Sequence, residues 1–141
     1  MSTNADLVRR YFEACNGADA GGIAACFCDD AVIYDTNHAP VRGSDEIGAF
    51  WADVRSGWSE VRWDIDTMAD GGDAVAIEWT MSGLRKGRPI SIRGSEHYGF
   101  RDGRIAELRQ YWTSGPDAVG LVDFSYATDG RFTRPATVDA G

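Results

Sequence analysis

Two polar side chains stand where an apolar residue would be expected. Glu96 and Gln110 lie on strand-like segments joined by Arg101-Asp102-Gly103-Arg104, and aspartate-glycine between β-type runs signals a hairpin. Counted in twos, the first segment reads Ile90, Ile92, Gly94, Glu96, Tyr98, Phe100 on one face. The returning segment reads Ala106, Leu108, Gln110, Trp112. A polar group on an apolar face needs partners or a purpose. Among Ile92, Tyr98, Phe100 and Trp112, desolvation would raise the Glu96 pKa and keep the carboxyl neutral. Asp35 ends a β-prone run, Val32-Ile33-Tyr34; as a base it must stay ionised, so it is expected at a wetter mouth. Tyr11, on a helical apolar face, carries a phenolic donor. Two carboxyls with divergent pKa values make an acid/base pair, and the tyrosine could stabilise a developing oxyanion. The chemistry would be proton abstraction next to a carbonyl.

Each residue also has a plainer reading. Tyr11 could be a core tyrosine with one satisfied hydroxyl. Asp35 could bond turn amides in the loop that follows. Glu96 would point outward if a bulge shifted the register by one. His38 could be a solvated loop residue rather than part of a pocket rim.

The elements that must position these groups follow from periodicity. Leu7, Val8, Tyr11, Phe12 and Cys15 mark an amphipathic helix over about residues 4–16, with Thr3 and Asp6 resembling a capping box and Asn16-Gly17 a stop. Asp19 caps a short second helix carrying Ile23, Cys26 and Phe27. A strand is predicted over 31–35, then a loop through Pro40. Ser44, Asp45 and Glu46 open a third helix with the stripe Ile47, Phe50, Trp51, Val54. From Glu60 the period becomes two: Val61, Trp63, Ile65, then Val75, Ile77, Trp79, Met81, then the hairpin. Helices followed by an antiparallel meander give an α+β class, three helices covering a curved sheet closed at one end and open at the other. Residues 1–116 form the domain, and 117–141 read as a partly ordered C-terminal extension over the pocket or a dimer surface.

The 141 residues suffice for one core, and five tryptophans suggest a ring-lined interior. A net charge of −8 disfavours nucleic acid and anionic lipid as partners. Cys15, Cys26 and Cys28 have neither metal nor redox spacing, which points to a reduced, cytoplasmic protein. No signal peptide or membrane-spanning run is visible. Two histidines without ligand spacing leave no metal site, and no glycine-rich strand-to-helix turn marks a nucleotide site.

The segment VRRYFEACNGADAGGIAACFCDDAVIYD from Val8 to Asp35 resembles the SnoaL-like and ketosteroid isomerase branch of the NTF2-like superfamily. So do the helix start Gly43-Ser44-Asp45-Glu46-Ile47 and EHYGFRDGRIAELRQYW from Glu96, the likeness covering roughly residues 5–113. It implies a cone-shaped fold with a pocket in its mouth, and a homodimer. Tyr11 matches the oxyanion-hole tyrosine, Asp35 the proton-abstracting base, and Glu96 the position of a protonated aspartic acid; that isomerase is a worked case of pKa tuning. The implied function is a cofactor-free isomerase, cyclase or dehydratase for a small apolar carbonyl compound, in polyketide or terpenoid biosynthesis. Trp63, Trp79, Tyr98, Phe100, Gln110, Trp112, Phe50 and His38 would line the pocket. Epoxide hydrolases of the same fold have an acidic residue where Gln110 stands, and an amide is no base. A non-catalytic ligand-binding dimer is the other reading.

Overall fold

The computed structural model describes residues 2–113 together with Leu121, Phe124 and Tyr126. Three helices, α1 (Thr3–Asn16), α2 (Ala20–Ala25) and α3 (Ser44–Ser56), pack into the concave side of a curved sheet. Its strands are β1 (Phe27–Asp35), β2 (Val41–Arg42), β3 (Ser59–Asp70), β4 (Ala74–Arg85), β5 (Arg88–Arg101) and β6 (Arg104–Trp112). Their order is β2-β1-β6-β5-β4-β3. All neighbours are antiparallel except β1 and β6. The α+β class and the helix-covered sheet agree with the periodicity. No helix among the described residues is long and apolar enough to cross a membrane.

Two-residue turns hold the meander in register. Lys86-Gly87 joins β4 to β5 and Asp102-Gly103 joins β5 to β6, with φ of 52°, 76°, 53° and 76° in turn. Such turns need two left-handed residues, which aspartate-glycine and lysine-glycine supply at little strain. The edge strand β3 is tied to α1 by Asn16, whose Nδ2 donates to Trp63 O at 2.9 Å while its Oδ1 accepts from Trp63 N at 2.8 Å. One amide side chain thus plays the part of a missing strand.

Two local expectations are corrected. The cap of α1 is Ser2, not Thr3; its extended backbone lets the hydroxyl accept from Ala5 N at 3.1 Å. Helix α2 stops at Ala25, because Phe27 enters the sheet opposite Ile105. The loop after Asp35 is followed by the two-residue strand β2, which pairs with Val32 and Ile33. Of the extension assigned to 117–141, all but three residues lie outside the described residues. Leu121 O and Phe124 O accept from Arg93 Nη1 at 2.7 and 2.6 Å, and the Tyr126 ring lies 4.9 Å from that guanidinium. These three residues therefore lie against the outer sheet face.

The concave face is layered. Ile33, Leu108, Tyr98 and Val75 are mutual register partners in a row with little or no exposure. The next row is Asp35, Gln110, Glu96, Ile77 and Met68. Beyond it come Trp112, Gly94, Trp79 and Ile65, then Ile92, Met81 and Trp63. A polar row therefore separates an apolar core from an aromatic cavity.

Candidate active site

The cavity between α1, α3 and the sheet has a volume of about 410 Å³, within the range of roughly 300–1,000 Å³ common for small-molecule sites. All five tryptophans line it: Trp51, Trp58, Trp63, Trp79 and Trp112. Their packing needs Gly94, where a Cβ would come within 2.6 Å of Trp79 and 2.9 Å of Trp112. Glycine there lets two indoles close over one strand.

Glu96 points into this cavity and is 4% exposed. The Tyr98 hydroxyl, one row deeper, donates to its Oε1. Burial is the main cause of a pKa raised to about 8; the Tyr98 hydrogen bond opposes the rise, and the Asp35 charge adds to it. Tyr11 reaches the same wall from α1, with its ring centroid 6.3 Å from that of Tyr98. Burial pushes its phenol well up, and its hydroxyl is hydrogen-bonded to Cys15, one helical turn on. Tyr11 and Glu96 thus line the same cavity, and register keeps Glu96 inward.

Asp35 is placed differently from the wet mouth expected of it. Its side chain has no exposed surface and it does not line the cavity. Oδ2 accepts from Gln110 Nε2 at 2.5 Å and from Trp112 Nε1 at 2.9 Å, and lies 3.2 Å from His38 Nε2. Oδ1 accepts from Asn37 N at 2.7 Å. The parallel pairing of β1 with β6 is the cause, since it sets Asp35 beside Gln110 and behind the Trp112 ring. Asp35 lies against Gln110, Trp112 and His38, all of which line the cavity.

Of the other expected lining residues, Trp63, Trp79, Gln110, Trp112, Phe50 and His38 face the cavity, whereas Tyr98 and Phe100 do not. Both lie on the correct face but in deeper rows, where Tyr98 stacks on Phe100 at 6.3 Å and supports Glu96 from below. His38 is held at the rim by Phe50, 4.8 Å between centroids, and by Ala39 O, 2.9 Å from its Nδ1. Sequence reasoning missed Cys15, Trp51, Trp58, Met81 and Arg85 as lining residues. Trp51 and Met81 stood on the correct apolar stripes, a signal shared with ordinary core residues.

The SnoaL-like domain family matches residues 8–108. The chain belongs to the SnoaL-like domain family. Solved structures of the same fold include a protein of unknown function with a cystatin-like fold from Methylobium petroleophilum PM1. It is 23% identical at a TM-score of 0.72, the match covering 93% of this chain and 96% of that one. A hypothetical protein with a ketosteroid isomerase-like fold from Catenulispora acidiphila DSM 44928, in complex with trimethylamine, is 22% identical at 0.69, over 76% and 85%. A candidate polyketide cyclase from Sinorhizobium meliloti is 27% identical at 0.61, over 74% and 93%. This SnoaL-like chain is therefore a member of the NTF2-like superfamily.

Proposed function

We propose that this SnoaL-like protein is a cofactor-free acid–base enzyme, an isomerase or cyclase, for a small and largely apolar carbonyl compound. The observation that carries the reading is Glu96, a carboxyl in the wall of an aromatic cavity with its pKa raised to about 8. A general base is most effective when its pKa lies near the working pH. Ionised Glu96 takes a proton from the carbon next to the carbonyl, and the C–H electron pair forms the enolate, with charge on oxygen. Tyr11 turns its hydroxyl from Cys15 to donate a hydrogen bond to that oxygen. Glu96 then returns the proton at another carbon, which completes an isomerisation. Alternatively the enolate carbon attacks a second carbonyl of the same substrate, and Glu96 protonates the resulting alkoxide to complete a ring closure. Asp35 takes the part of a positioning residue for Gln110, Trp112 and His38. The likeness to a candidate polyketide cyclase supports a setting in secondary metabolism.

Deuterium uptake by 2-tetralone from D₂O, followed by NMR, tests this. Exchange should exceed the buffer blank, and kcat/KM should climb about tenfold per pH unit below about pH 8 and level off above it. Glu96→Gln should lose about 100-fold or more. A rate that instead falls above pH 8 would assign Glu96 the neutral-donor role, because the pKa leaves it mostly protonated at pH 7. Binding of the ketone without exchange would leave a non-catalytic ligand-holding module.

A further inference from the structure

The cavity has an exposed end as well as a buried one. Of its lining residues, Asp53, Gly57 and Arg85 are exposed, whereas Glu96 is buried. Arg85 is the one arginine or lysine of the lining. Its guanidinium lies 5.9 Å from the centroid of the Trp58 ring, itself part of the lining, and this contact holds the head group over an aromatic face. Arg85 is also the register partner of Arg88 across the two-residue turn Lys86-Gly87. Partners directly opposite in an antiparallel pair project to the same side with Cβ atoms about 5 Å apart, and like charges so placed repel. Among the described residues neither side chain makes a hydrogen bond or an ion pair, and Asp53, the acid of the lining besides Glu96, is not paired with Arg85. Two exposed guanidiniums side by side, in a chain of net charge −8, make a local site for an oxyanion. Such a group relieves their repulsion and accepts their forked N–H donors.

The position of this pair sets the length of the ligand. Arg85 stands eight residues along β4 from Ile77, the register partner of Glu96, and Trp79 and Met81 line the cavity between them. A strand rises about 3.3 Å per residue, so the two backbones stand up to roughly 26 Å apart, and the reach of the Arg85 and Glu96 side chains leaves roughly 15 Å for a ligand to bridge. We infer that the cavity takes an elongated, amphipathic carbonyl compound. Its carbonyl end meets Glu96, its apolar middle passes Trp79 and Met81, and its far end carries a carboxylate or phosphate held by Arg85 and Arg88. This deepens the proposed function and rests on it in taking Glu96 as the reacting end.

Calorimetric titration of the whole chain with 13-oxotetradecanoic acid, its primary amide and 13-oxotetradecyl phosphate tests the site without turnover. The extended acid holds its two polar ends roughly 15 Å apart. At about 20 mM salt the acid or the phosphate should bind about fivefold more tightly than the amide, although the net charge of the chain repels both, and about 0.5 M salt should shrink the difference. The tighter oxyanion names the group that the substrate carries. The double substitution Arg85→Gln with Arg88→Gln should bring the oxyanion-to-amide ratio close to one. Should that variant fail to fold, each single substitution carries the same comparison with a smaller loss. A wild-type ratio below about threefold for both oxyanions, no binding of any of the three, or a ratio that survives the substitutions would each overturn the inference. Oxyanion preference without deuterium exchange would uphold this inference and sink the catalytic proposal. Exchange of 2-tetralone with no oxyanion preference would sink this inference alone.

Discussion

At the scale of single residues, Asp35 and Glu96 show how one fold gives two carboxyls different tasks. Asp35 is surrounded by nitrogen groups from Asn37, His38, Gln110 and Trp112, so its oxygens serve as a fixed acceptor for the rim. Glu96 receives the Tyr98 hydroxyl and lines the cavity, so it is the carboxyl to which the proposal gives proton exchange with a ligand. Asp35→Asn should therefore cost stability. It replaces an acceptor by an N–H donor in front of the Trp112 indole, a loss of roughly 1–3 kcal/mol that urea denaturation would measure. A change below a few tenths of a kcal/mol would mean that the ring of donors relaxes without strain.

At the scale of elements, strand β5 decides the shape of the site. Its concave face runs from Tyr98 in the core through Glu96 and Gly94 to Ile92 in the cavity wall. Gly94 is the position with no room for a side chain: a Cβ would also meet Tyr111 O at 2.7 Å, a backbone atom that cannot rotate away. Gly94→Ala should destabilise the fold by about 1–3 kcal/mol and displace the Trp79 and Trp112 indoles. Tryptophan fluorescence and a thermal melt on the same sample would record both effects. An unchanged emission spectrum with an unchanged melt would contradict the close approach described for these rings.

At the scale of the whole molecule, the raised Glu96 pKa links stability to pH. The folded chain holds this proton up to about pH 8, whereas an ordinary glutamate releases it near 4.5. Between those values the folded state binds more protons than the unfolded state, so stability falls as pH rises. The contribution is fully present below pH 4.5 and is lost by about pH 8, at up to about 1.4 kcal/mol per pH unit. Urea midpoints taken between pH 5 and 8.5 should drop with pH in the wild-type protein. Glu96→Gln should remove much of that slope, because an amide does not titrate. Parallel slopes for the two proteins would show that Glu96 is not the buried acid described.

Much of this architecture is legible in the residues themselves. Periodicity locates three helices and the long strands, aspartate-glycine marks the β5–β6 turn, and parity alone puts Glu96 and Gln110 on the inward faces. These are local properties, set by backbone sterics and by which side chains avoid water, so a single chain can display them. The pairing of β1 with β6 is different, because it joins segments some seventy residues apart through a parallel register with no turn to announce it. That pairing hides Asp35 behind Gln110 and leaves Glu96 as the carboxyl that lines the cavity with Tyr11. Depth along a strand is equally silent in sequence: Tyr98 and Phe100 share the face of Glu96, yet only the curvature of the sheet and the cover of α1 decide that Tyr98 is core, that Phe100 packs against it, and that neither lines the cavity. The sequence determined which residues face inward, and the tertiary structure decided which of them a ligand can touch.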